Sequence, residues 1–231
     1  GMLPVFAVYD SFLQRGYDML AQDVSLDKLH VVFAVDRTGL VGADGETHHG
    51  CIDYLSQIPD MTVLCPASFA ELRSMLRTAL YRCGGPVAVR YPRGRDNCGD
   101  APVSVLRQGA DVSIVTYGIL TEQALAAAEL LAQEHIAAQV VKLNRVTPLD
   151  GDAVCGALAG VRRLVVLEDQ LRQGCVGQRL AALLLERGAA PEKLRLLNAG
   201  DRLPAQGSVR LYHALGLDAQ GVVCAVKEVL A

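Results

Sequence analysis

At 231 residues, with 51% hydrophobic and 20% charged residues, the chain fills one large domain or two ordinary ones and is not disordered. A net charge of −3, the lack of tryptophan and only 5% aromatics exclude a general attraction to nucleic acid or anionic membrane, and a base-stacking surface as well. Seven scattered cysteines without a CxxC pair, and no apolar run near the ~20 residues that span a bilayer, predict reduced thiols in a cytoplasmic protein with no nucleic-acid or membrane partner.

In chain order, short β-branched runs alternate with longer amphipathic stretches, which predicts βαβ units and parallel sheets. "PVFAVY" (4–9) reads as a strand and "SFLQRGYDMLAQDVS" (11–25) as a helix. "HVVFAVD" (30–36) is a second, buried strand. A glycine-rich loop follows, then a short "DYLSQI" helix (53–58) that Pro59 ends. "TVLCPA" (62–67) is a third strand, Ser68 an N-cap for the helix "FAELRSMLRTALYR" (69–82), and "GPVAVRYP" (85–92) a fourth strand.

"RGRDNCGDAP" (93–102) is polar, holds Gly and Pro and has no apolar period. It predicts a first module over 2–97, a linker over 98–106 and a second module over 107–231. Strands are expected in the second module at 111–118, 137–144, 163–169 and 194–200, and helices at 121–135, 151–160, 174–188 and 218–231. The fold class is α/β, with two three-layer α/β/α modules.

In open parallel sheets, ligands gather beyond the carboxyl ends of the strands. Three loops of the first module meet that condition: "YDSFLQR", "RYPRG" and "VGADGETHHGC" (41–51). The last crowds Asp44, His48, His49, Cys51 and Asp53 together. Adjacent histidines point to different sides of an extended backbone and zinc spacings are absent, which counts against a metal site. The plain alternative is a solvated turn with incidental histidines. The catalytic alternative has His48 exchanging protons while Asp44 orients it or holds a hydroxyl. Arg37, Arg90 and Arg93 stand at strand ends, where a guanidinium suits a phosphate or carboxylate; surface ion pairing is the bland reading. Phe12 and Tyr17 are either core-facing or stacking residues. The seven cysteines are expected in the core, away from any positive helix terminus.

The stretches "VYDSFLQRGYD", "VVFAVDRTGLVGADGETHHG", "GPVAVRYPRG", "LEDQLRQGCVGQRL", "GDRLPAQGS" and "ALGLDAQGV" resemble the 1-deoxy-D-xylulose-5-phosphate synthase family of the thiamine-diphosphate-dependent transketolase superfamily, C-terminal portion only. The resemblance runs from about Val5 to the end. It implies a partial pyrimidine-binding domain followed by a transketolase C-terminal domain. It also implies a transferase that condenses pyruvate with glyceraldehyde 3-phosphate to 1-deoxyxylulose 5-phosphate and CO2, in isoprenoid precursor synthesis. Residue by residue, it implies that Phe12 stacks on the aminopyrimidine ring of the cofactor with Arg15 in support. Tyr9, Arg37 and Arg90 would line the substrate side, the two arginines on the acceptor phosphate. His48 and Asp44 would handle proton transfer and the hydroxyls.

The family's diphosphate- and Mg2+-binding domain has no counterpart here, nor has the glutamate that activates the thiamine ring. Asp10 stands where the family has serine, and "GCIDYLSQIP" is about two residues shorter than usual. The chain alone is therefore expected to be inactive, and to assemble as a homo-oligomer or with a complementary subunit over an exposed apolar sheet surface. Other readings are a subunit of another split transketolase-like enzyme, a 2-oxoacid dehydrogenase subunit, or a non-catalytic interaction module with the same fold.

Overall fold

The computed structural model describes residues 1–41, 46–50, 53–91, 102–202 and 211–231. In chain order the strands are β1 (Val5–Tyr9), β2 (Val32–Asp36), β3 (Thr62–Leu64), β4 (Val87–Tyr91), β5 (Val103–Arg107), β6 (Val112–Thr116), β7 (Ala138–Leu143), β8 (Arg145–Thr147), β9 (Arg163–Leu167) and β10 (Lys193–Leu197). The helices are α1 (Asp10–Leu13), α2 (Tyr17–Met19), α3 (Phe69–Tyr81), α4 (Thr121–Gln133), α5 (Gly151–Ala157), α6 (Val176–Glu186), α7 (Leu211–Ala214) and α8 (Ala219–Leu230).

The strands form two five-stranded sheets, ordered β1-β2-β4-β3-β8 and β10-β9-β6-β7-β5. Within each sheet four strands run parallel, and the β8 or β5 edge runs antiparallel. The central strands read as largely apolar runs because both faces are covered. Val32–Val35 of β2, Val87–Arg90 of β4 and all of β6 and β7 are buried. On the first sheet α3 lays Met75 and Ala79 on Val32, Val87 and Val89, while Leu13, Leu20, Leu55 and Ile58 cover the other face. On the second sheet α4 and α8 share one face, with Ala124, Ala128 and Leu131 near Val222 and Val226. Val154 of α5 and Leu180 and Leu184 of α6 take the other.

That last cluster also holds Phe33 and Val35 of the first module, so one apolar core continues from one module into the next. Polar contacts reinforce it. Lys142 on β7 pairs with Glu71 on α3, both buried. Arg179 on α6 lies 2.5 Å from Asp53. β8, although it follows the second module's β7, pairs with β3 of the first.

Several local expectations are corrected. The helix expected over 11–25 is a helical run that changes pitch: α1, a 3-10 turn at Gln14–Gly16, α2, then a π-helical turn at Leu20–Ser25. Gly16, at φ −96° and ψ 12°, leaves α geometry between the pieces, and Ser25 Oγ ties the far end to Pro59 O at 2.6 Å. The helix expected over 53–58 shrinks to a 3-10 turn, Leu55–Gln57, because Pro59 holds Ile58 extended at ψ 122°. The linker placed over 98–106 overlaps β5, whose Val103 to Arg107 pair with β7. β5 is a half-buried edge strand, so it carries no strong apolar period for the eye to catch.

Candidate active site

β1 runs straight into α1, so Tyr9 ends a strand and Asp10 begins a helix at the carboxyl edge of the sheet. β2 ends beside it, and Arg37 turns the chain in a left-handed conformation, φ 56°. That turn is held by the Arg37 N–H donating to Asp36 Oδ1 at 2.7 Å. The chain then leaves and returns through a narrow neck: Gly39 and Gly50 exchange both backbone hydrogen bonds, at 2.8 and 2.9 Å. Inside it, His49 is buried and its Nδ1 accepts the Val41 N–H at 3.0 Å.

These turns gather four of the expected side chains, and Arg15 with them, into one aromatic–cation cluster. The Tyr9 and Phe12 rings lie 5.5 Å apart, tilted 35°. Phe12 and His48 lie 5.7 Å apart, tilted 55°. The Arg37 guanidinium stands 4.2 Å over Tyr9, and that of Arg15 stands 5.8 Å over Phe12. Phe12 keeps 44% of its surface exposed, unlike a core phenylalanine. His48 Nδ1 is 3.1 Å from Thr47 Oγ1.

Behind the cluster lies a buried polar knot. Arg90 Nη2 donates to Asp10 Oδ2 at 2.6 Å and to Gly50 O at 2.9 Å. The Tyr54 hydroxyl donates to Asp10 Oδ1 at 3.1 Å and lies 3.2 Å from Asp10 O. Burial pushes the Asp10 carboxyl up, and the Arg90 guanidinium pulls it back only in part. Burial and the Asp10 charge push Tyr54 up as well, so its hydroxyl stays a donor. Glycine is needed at both ends of the loop. A Cβ on Gly50 would sit 2.6 Å from Asp10 Oδ2, and one on Gly39 1.8 Å from Asp169 Oδ2.

The second module closes the far side. Thr38, Gly39, Cys65 and Arg90 face Tyr117 and Asp169 across a cavity of about 10 Å³, space for a single water at most. Glu168 and Asp169 directly follow β9. Glu168 accepts N–H groups from Val176 and Gly177 at 3.0 Å each and the Tyr117 hydroxyl at 3.0 Å, so it serves the start of α6. Cys175 is the N-cap residue of α6, contrary to the expectation that no cysteine meets a helix terminus. Burial and the neighbouring Glu168 nevertheless push its thiol up to about 12. Cys224 on α8 is exposed rather than in the core, and Cys83 and Cys155 are half-buried.

The structure thus brings together Tyr9, Phe12, Arg15, Arg37 and His48, and sets Arg90 behind them, 4% exposed. Asp44, Cys51, Arg93 and Cys98 lie outside the described residues. Among the described residues no group of three or more His, Cys, Asp or Glu stands where it could hold a metal ion. Sequence reading missed Tyr54, whose role exists only in the fold. It also missed the acidic pair "ED" at 168–169, which the end of a parallel strand could have flagged.

Residues 1–96 match the family model of the transketolase pyrimidine binding domain, and residues 101–222 that of the transketolase C-terminal domain. The chain belongs to the transketolase family. Within that family, the curated relatives it resembles are 1-deoxy-D-xylulose-5-phosphate synthases. The chain is 39% identical to the one from Chlorobium luteolum, covering 99% of this chain and 38% of the relative. It is 41% identical to those from Geobacter metallireducens and Dechloromonas aromatica, covering 98% of this chain and 38% of each relative. A solved structure, "Split gene transketolase, inactive beta4 tetramer", superposes with a TM-score of 0.88 at 28% identity, over 100% of this chain and 77% of that one. The chain therefore spans under two-fifths of the length of its curated relatives. No helix among the described residues is long and apolar enough to cross a membrane.

Proposed function

We propose that the chain carries the pyrimidine and acceptor side of a thiamine-diphosphate-dependent transferase of the deoxyxylulose-phosphate synthase type. The reaction would join pyruvate and glyceraldehyde 3-phosphate into 1-deoxyxylulose 5-phosphate with loss of CO2. The observation that carries this reading is the Phe12 cluster: a half-exposed ring at a strand end, flanked by Tyr9, His48 and Arg15. A flat aminopyrimidine needs such an exposed aromatic face, so the residues present fit that half of the cofactor. The bound cofactor supplies the nucleophilic carbon.

The chain's own residues do the rest. Phe12 stacks, and Arg15 holds its edge. Tyr9, stiffened by Arg37 above it, walls the substrate space. His48, on the loop that Gly39 and Gly50 close, reaches the same space and moves protons there; the partner for it that the resemblance implies, Asp44, lies outside the described residues. The diphosphate and Mg2+ would be held by polypeptide outside this chain's 231 residues, and the chain alone is inactive. The exposed edge strand β1, with Val5 and Phe6 at 52% and 53% exposure, and Met19 of α2 at 64%, support assembly with a complementary subunit or with further copies.

The test joins the chain to the part of the Chlorobium luteolum relative that it does not match, and measures deoxyxylulose phosphate formed from pyruvate and glyceraldehyde 3-phosphate. The fusion is expected to turn over and the chain alone not to. His48→Ala in the fusion should slow turnover about 10²- to 10⁴-fold, the usual worth of a positioned acid–base group. A folded fusion that binds thiamine diphosphate yet forms no product refutes the reading.

A further inference from the structure

The resemblance assigns Arg90 to the phosphate of the acceptor, but in this fold its guanidinium already faces an anion. Asp10 is completely buried and one residue from Tyr9, and its Oδ2 lies 2.6 Å from Arg90 Nη2. The same Nη2 also donates to Gly50 O at 2.9 Å. Asp10 has little freedom to leave. Tyr54 holds its second oxygen at 3.1 Å, and the Gly50 backbone is packed so closely that a single added Cβ would land 2.6 Å from the Asp10 Cβ. A phosphate monoester, carrying about two negative charges, would have to approach this carboxylate or displace it. Approach is repulsive in a site of low dielectric, and displacement strands a buried carboxylate without its cation.

We infer that Asp10 is a specificity-determining residue, an internal anion that occupies Arg90 and closes that guanidinium to the phosphate of an acceptor. This rests on reading the Tyr9–Phe12 pocket as a substrate pocket. The acceptor that suits it has no anionic group at the Arg90 end. Any anion is met instead at the mouth, where Arg37 and Arg15 sit over the aromatic rings. The substrate class becomes neutral aldehydes, or phosphorylated ones bound with the phosphate turned toward Arg37.

The test is a titration of the full chain with inorganic phosphate, followed through the arginine side-chain NMR signals, with no cofactor and no donor present. It is run on wild type, Asp10→Ser and Asp10→Asn. In wild type the Arg90 signal should stay still while an Arg37 or Arg15 signal moves. In either variant the Arg90 signal should shift saturably, with phosphate affinity at that arginine raised about tenfold or more, the worth of one freed charge-assisted hydrogen bond. Asp10→Asn keeps the side-chain shape and decides the matter if the serine variant does not fold. A saturable shift of Arg90 in wild type overturns the inference by itself, as does a folded variant that gains nothing. Because turnover is not measured, this outcome is independent of whether the fusion is active.

Discussion

Replacing Lys142 by methionine removes an ammonium from one of the driest places in the molecule. Lys142 on β7 and Glu71 on α3 are each 1% exposed, and they pair across the boundary between the modules. Methionine fills most of the stem volume but leaves the Glu71 carboxylate without its cation, still accepting the Ala67 N–H at 2.7 Å. Breaking a buried pair from one side costs about 3–5 kcal/mol, because the stranded charge has lost water and keeps no counter-charge. For a chain of this length that is a fall in Tm of roughly 6–20 °C. The assay is urea unfolding followed by far-UV circular dichroism and tyrosine fluorescence, since the chain has seven tyrosines and no tryptophan. Glu71→Gln on top of Lys142→Met removes the stranded charge and keeps an oxygen to accept the Ala67 N–H, so the double variant should recover to within about 1–2 kcal/mol of wild type. A single variant that costs less than about 1 kcal/mol, the range of an exposed pair, refutes the reasoning. So does a double variant no more stable than the single one.

Two further outcomes test the site's scaffold and its pH response. Gly39→Ala puts a methyl group 1.8 Å from Asp169 Oδ2 on a residue at φ 78°. The combined overpacking and left-handed strain should cost about 2–5 kcal/mol by denaturant midpoint, and a cost under ~1 kcal/mol would show that Asp169 yields freely. Asp218 caps α8 by accepting the Gly221 N–H at 3.0 Å and meets His213 at 2.5 Å. Partial burial works against the charged form, but the Gly221 N–H and His213 outweigh it and hold the carboxyl below its ordinary 3.8. A depressed acid gives stability that is present above its unfolded pKa and lost as pH falls through the folded one. Asp218→Ala should thus cost about 1 kcal/mol near pH 7, with the gap to wild type closing below pH 3.8. A gap unchanged down to the acid limit of folding would rule the carboxylate charge out as its source.

The chain's alternation of strands and helices was legible in residues alone because parallel strands buried on both faces need mostly apolar, β-branched runs, and "VVFAV", "PVAV" and "VSIVT" are such runs. Ser68 was legible as a cap because an N-cap is a local bond: its Oγ accepts the Glu71 N–H at 2.9 Å. That Tyr9, Phe12, Arg15, Arg37 and His48 would gather at one edge was legible too, since all stand at or just beyond strand ends of one sheet.

What only the tertiary structure decided were the partnerships between residues far apart. Asp10 and Arg90 are 80 positions apart and Glu71 and Lys142 are 71 apart, and nothing local announces either pair. Lys142 reads as an ordinary polar break in a strand until both faces of that strand are covered. β5 and β8 are short edge strands that exist because a neighbour offers hydrogen bonds, so their own composition could not reveal them. Sequence can place a carboxylate and a guanidinium at a functional edge. Whether they face a ligand or each other depends on a backbone approach of under 3 Å at Gly50, and only the folded chain sets that distance.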